Sequence, residues 1–112
     1  MKTYELAQIE HQHRKESWPY LEFLRESSLS VGLYIIPTDG VDRQKPHTED
    51  EVYYVISGRG VINVANEDRS IQTGSVIFVP AGADHFFHII TEELKILVFF
   101  APPEGSQRKG RS

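Results

Sequence analysis

The run Gly40-Val41-Asp42-Arg43-Gln44-Lys45-Pro46-His47-Thr48-Glu49-Asp50-Glu51-Val52-Tyr53-Tyr54-Val55-Ile56-Ser57-Gly58-Arg59-Gly60 decides how the chain is read. It sets His47 and Glu51, two side chains able to ligate a metal, just ahead of a β-branched and aromatic segment. On one straight strand the two would share a face yet stand about 13 Å apart, because the rise is about 3.3 Å per residue. On a helix, positions i and i+4 would meet, but residues 52–56 are of the types that favour strands. The polar Thr48-Glu49-Asp50 suits a turn. His47 then closes one strand and Glu51 opens the next, so that their side chains converge.

A second stretch repeats the plan: Gly74-Ser75-Val76-Ile77-Phe78-Val79-Pro80-Ala81-Gly82-Ala83-Asp84-His85. Residues 76–79 read as a strand. Pro80 ends it by lacking a donor, and Gly82 tolerates a positive φ. His85 begins the following strand. Each unit is strand, turn, strand, with metal-ligating side chains beside the turn.

Together the two stretches resemble the two motifs of the cupin family. The first family motif runs Gly, five residues, His-x-His, three or four residues, Glu, six residues, Gly. Gly40, His47, Glu51 and Gly58 follow it, with Gly40 one residue nearer and Lys45 in place of the first histidine. The second runs Gly, five residues, Pro-x-Gly, two residues, His, three residues, Asn. Gly74, Pro80, Gly82 and His85 follow it, with Ile89 in place of Asn. Two motifs in register are far more specific than either alone. The resemblance covers roughly residues 30–101 and implies a site of three ligands, His47, Glu51 and His85, holding one divalent metal ion (iron, manganese, zinc or nickel). Gln44 and Glu49 are candidates for a fourth ligand through their oxygens.

Composition narrows the remaining classes. A chain of 112 residues suits one compact domain. With no cysteine, disulfides and thiolate metal sites are excluded. A net charge of −4 gives no general attraction to nucleic acid. The N-terminus lacks the apolar run of a signal peptide, and no segment reaches membrane-spanning length, so a cytoplasmic location is expected with neither membrane nor nucleic acid as partner.

The expected fold is all-β, a cupin-type jelly-roll barrel (a double-stranded β-helix) with one short N-terminal helix. Residues 1–28 form an extension, 29–101 the barrel and 102–112 a flexible polar tail. In the extension, 4–9 reads as a short strand. Ser17 is placed to cap a helix over 18–26, with Pro19 in its first turn. His11-Gln12-His13 would share a face on a strand, but nothing nearby supplies a carboxylate with turn-defined geometry, and the pair reads as part of a solvated segment. Strands are expected at 29–36, 51–57, 60–65, 70–72, 75–79, 85–90 and 94–101, separated by turn residues at the spacing of a sandwich or barrel.

Alternation then assigns faces. If Glu51 points inward so does Tyr53, which becomes a pocket-lining candidate for catalysis, while Val52, Tyr54 and Ile56 point outward. His88, three residues beyond His85, points the other way and is read as non-ligating. The outward apolar set, with one face of 94–100, exceeds what a single small barrel buries. This predicts a homodimer, or else cover from the N-terminal segment. Lys45 is the other candidate catalytic group. Desolvated beside a cation it can act as a base or as a donor to an anionic or enolisable substrate. Alternatively it is an exposed loop lysine, or it pairs with Glu51 and leaves the pocket metal-free.

Two histidines and a carboxylate form the set used by non-haem iron oxygenases, and they also suit catalytic zinc. Three functions are consistent with these residues. The first is a metal-dependent enzyme, oxygenase- or isomerase-like, acting on a small organic molecule. The second is a small-molecule binder, and the third a structural barrel with a vestigial site.

Overall fold

Valine, isoleucine and aromatic residues crowd the chain from Leu29 onward, and there the backbone is extended. The computed structural model describes residues 1–16, 19–42 and 45–107. Its elements are α1 (Leu6–Lys15), β1 (Tyr20–Arg25), β2 (Ser30–Ile36), β3 (Asp50–Val64), β4 (Glu67–Gln72), β5 (Val76–Val79) and β6 (His85–Ala101). The long strands β3 and β6 pair antiparallel along nearly their whole length. The first half of β3 also pairs with β5 and its second half with β4. β2 joins the far edge of β6 opposite residues 94–100, and β1 adds outside β2.

Between Val55 and Val61 the β3–β6 register shifts repeatedly. There the paired strands bend, and the two halves of the continuous sheet face each other as a jelly-roll barrel. Val55, Val79, Ile96 and Val98 from one half share a single buried cluster with Ile62, Ile71 and Phe87 from the other. The expected breaks at 57–60 and 91–93 are therefore bends within two continuous strands, not turns. Gly58 shows why turn-like residues stand there. It takes φ 106°, and a Cβ on it would lie 2.1 Å from the Glu93 carbonyl oxygen.

The extension differs from expectation. The helix lies at Leu6–Lys15, where a strand was expected over 4–9, and Tyr20–Arg25 is a strand where a helix was expected. Ser17 and Trp18 fall outside the described residues. A short apolar run such as Tyr-Leu-Glu-Phe-Leu fits either period, and the open edge of β2 decides for strand. Ala, Gln, Glu, Arg and Lys give 6–15 its helical preference, and its basic last turn suits the helix dipole.

α1 packs against β1 and β2 on the outside of the barrel, where Ile9, Val31 and Leu33 are buried. Glu10 accepts a hydrogen bond from Lys95 at 2.6 Å, tying the helix to β6. The helix thus covers part of the outer face. Tyr54, Val76 and Phe78, on β3 and β5, remain exposed. Past Ala101 the chain turns back onto the barrel. Pro103 and Gly105 are buried, the Glu104 N–H donates to Ser30 Oγ at 3.0 Å, and Arg25 donates to the Glu104 carbonyl at 3.1 Å. The described part of the expected flexible tail, 102–107, is therefore held; residues 108–112 lie outside the described residues.

Candidate metal centre

Two turns meet at one end of the barrel, and backbone contacts tie them together. The Gly82 N–H donates to the His47 carbonyl at 2.8 Å, and the Ala81 N–H donates to Asp50 Oδ1 at 2.9 Å. Gly82 sits at φ 81° with open space around it, so the backbone conformation is what calls for glycine. This cross-link between the two motif units brings His47, Glu51 and His85 together. One ligand atom from each lies within 4.8 Å of the others.

The His85–Glu51 pair has the spacing of two ligands on one ion, and His47 stands wider. Ligand atoms about 2.1 Å from a common ion stand roughly 3.0–3.4 Å apart, from the zinc–ligand bond lengths and simple angles. His85 Nε2 lies 3.1 Å from Glu51 Oε2, and His47 Nε2 lies 3.9 Å from the same oxygen. The His85 and Glu51 side chains are fully buried, whereas that of His47 is 15% exposed.

Proton placement points the same way. His85 Nδ1 lies 2.9 Å from the Ala83 carbonyl, which can only accept, so Nδ1 carries a hydrogen. In the neutral ring Nε2 is then an acceptor aimed at a carboxylate, an arrangement that needs a cation between the two. Burial opposes charge on His85. The hydrogen bonds to Glu51 and Ala83, with the charges of Glu51 and Asp42, outweigh burial and raise its pKa. A proton can fill the gap, and so can a metal. Glu51 Oε1 is buried with no hydrogen-bond partner among the described residues, a loss of about 1–3 kcal/mol or more for an ionised group. A divalent cation at Glu51 answers both deficits, and the donor set fits one.

The other candidates fall as follows. Tyr53 points inward as expected and is fully buried, its ring centroid 6.2 Å from His85 and 5.1 Å from Phe87. Lys45 is exposed, so the desolvation that a catalytic role requires is missing. Gln44 lies outside the described residues. Glu49 is buried but does not join the cluster. Its Oε1 accepts from the Gly105 N–H at 2.9 Å and its Oε2 from the Gln107 N–H at 3.3 Å and from the Thr48 hydroxyl. Those donors correct the fourth-ligand expectation for Glu49. Burial would raise its pKa, but the hydrogen bonds hold it below the ordinary carboxylate range. His88 pairs with Asp68 at 3.0 Å, away from the cluster. His11 and His13 lie on α1, where i and i+2 do not face each other.

Three neighbours escaped the sequence reading. Asp42 accepts from the Tyr34 hydroxyl at 2.6 Å and from the Phe87 N–H at 2.8 Å, pinning the loop ahead of His47 to the barrel. Glu104 Oε2 stands 3.7 Å from His47 Nδ1. The Tyr20 hydroxyl is buried without a hydrogen-bond partner among the described residues. Burial, with the charges of Glu104, Glu22 and Glu51, raises its pKa and keeps it a neutral donor. Only a correct assignment of 20–25 as a strand would have pointed to Tyr20, and nothing local marks Glu104.

Comparison with known proteins agrees with this barrel. The Cupin domain family model matches residues 32–100. An uncharacterized protein of Streptomyces coelicolor is 48% identical over 105 residues, covering 94% of this chain and 100% of that one. An acireductone dioxygenase of Sulfurihydrogenibium is 35% identical over 68 residues, covering 56% of this chain; the match spans 38% of that enzyme. Among solved structures, an RmlC-like cupin from Shewanella frigidimarina superposes with TM-score 0.68 at 19% identity, covering 74% of each chain. Two motif turns, their shared ligand cluster and the jelly roll around them, with the family match over most of the barrel, place this chain in the cupin family.

Proposed function

We propose that the protein is a metal-dependent cupin that binds one divalent ion through His47, Glu51 and His85 and acts on a small, oxygen-bearing organic molecule inside the barrel. The observation that carries this reading is Glu51. A fully buried carboxylate leaves Oε1 without a hydrogen-bond partner among the described residues and directs Oε2 at an imidazole whose other nitrogen already holds its hydrogen. Bound there, the ion supplies Lewis-acid polarisation and open coordination positions. The chain's own residues do the rest. His85 and His47 present Nε2 toward Glu51. Tyr53 packs its ring against His85 and Phe87. Tyr20 offers a neutral hydroxyl to a substrate oxygen.

The likeness to acireductone dioxygenases favours oxygenase-like chemistry on an enolisable substrate over simple binding. Elemental analysis of the purified, untagged protein, followed by oxygen uptake with an enediol substrate, tests the reading. About one metal per chain and uptake that is lost in Tyr20→Phe support it. A protein that takes up no divalent ion ends it, and metal binding without turnover makes the barrel a binder.

The reading extends to assembly. The bare outer strip of Tyr54, Val76 and Phe78 is 40–67% exposed beside a half that α1 already covers, and a second copy packed there as a homodimer would bury it. Sedimentation should give a dimer that Phe78→Glu converts to monomer. A monomeric parent protein at high concentration excludes this arrangement.

A further inference from the structure

We infer that Glu104, delivered by the C-terminal turn, positions His47 for metal binding by setting a carboxylate oxygen opposite its Nδ1–H, and that Glu49 holds that turn in place. This rests on the metal reading above. The His47 ring lies between two carboxylates, with Nε2 3.9 Å from Glu51 Oε2 and Nδ1 3.7 Å from Glu104 Oε2. An imidazole that ligates through Nε2 must carry its hydrogen on Nδ1. A carboxylate on that side fixes the tautomer, orients the ring and makes Nε2 more basic. Phe100 abuts the ring at 4.9 Å between centroids and limits its swing. Glu104 does not join the three-residue cluster itself, so it acts through His47 and is not a fourth ligand.

The turn that carries Glu104 is built into the barrel. Glu49, 2% exposed, accepts from the Gly105 and Gln107 amides. Ser30 accepts from the Glu104 amide, and Arg25 donates to its carbonyl. Burying an ionised carboxylate is unfavourable unless hydrogen bonds compensate it, and here the amides of this turn supply them. Glu104, Arg25 and Ser30 all lie outside the matched family segment 32–100, so this support for His47 is an addition to the motif-bearing core.

Cobalt(II) titration of the full chain tests this, read by calorimetry and by visible absorption, beside the unfolding midpoint of the metal-free protein. Glu104→Gln should weaken cobalt binding by about 10–100-fold and alter the cobalt spectrum, with an unchanged midpoint. Glu104→Asp should recover part of the affinity. Equal affinity in the parent and Glu104→Gln overturns the inference while leaving the metal site standing. A loss that appears only together with a lowered midpoint also overturns it. If the parent protein itself binds no cobalt, the metal reading fails, and the role of Glu104 with it.

Discussion

The turn at residues 80–85 and the loop at 45–51 each deliver one imidazole to the same carboxylate, but they fix it by different means. His85 is set by its own neighbours. Pro80 and Gly82 shape the turn, Ala83 two residues back holds Nδ1, and the side chain is fully buried 3.1 Å from Glu51. His47 is set from a distance. Its carbonyl is held by Gly82, its ring abuts Phe100, and its Nδ1 faces Glu104, which Glu49 keeps in reach through Gly105 and Gln107. It is also the more exposed ring and the one farther from Glu51. A ligand held by local backbone is ready as soon as its turn forms. One held by contacts from 35 to 57 residues away is only as firm as the packing that brings those contacts in.

The largest effect should come from removing what both turns share. Glu51→Gln keeps shape but loses the charge between the imidazoles, and divalent metal affinity should fall by more than about 100-fold, beyond the range of residues that act through a ligand. Calorimetry showing stoichiometric binding by this variant would remove Glu51 from the site. Glu49→Gln strikes one side only. It faces an amide N–H with an NH2 group and should lower stability by about 2 kcal/mol in urea titration, weakening the His47 side. If stability is unchanged, the C-terminal turn is not held as described.

Acidity separates the two sides further. An unfolded histidine titrates near 6.5, and His85 is held above that value in the fold against the opposing effect of burial. In the metal-free protein its contribution to stability is therefore complete below about pH 6.5. It fades as pH rises through the folded pKa. Urea midpoints should fall from pH 6 toward pH 9, a slope that His85→Asn should flatten. Excess divalent metal should reverse the trend, because metal displaces the proton. A midpoint insensitive to pH would show that His85 has no proton to lose. The smallest effect lies outside both turns. Ile89 takes φ 49°, a region that β-branched residues avoid, and its side chain is exposed. Ile89→Asn should raise stability by about 1 kcal/mol and leave metal affinity unchanged.

That last position also shows what local residues can and cannot specify. The family pattern places Asn where this chain has Ile89, and the positive φ explains why Asn suits the position. The substitution was visible beforehand, but its meaning required the backbone. The same holds at 57–60 and 91–93. Turn-like residues there were legible, yet whether they break a strand or bend one depends on the partner strand across the ladder. Residues 20–25 are ambiguous in isolation and become a strand because β2 has an edge to fill.

By itself the sequence determined the barrel class and the three converging side chains. Both rest on short-range chemistry: strand-forming runs, breakers at the turns, and ligands placed beside them within each motif. Tertiary structure alone decided which carboxylate faces the second nitrogen of His47, where the helix lies and which outer strip it leaves bare. It also decided that the Tyr20 hydroxyl is buried without a hydrogen-bond partner among the described residues. Each of these depends on residues far apart in the chain meeting across a folded barrel, and no local preference encodes such a meeting.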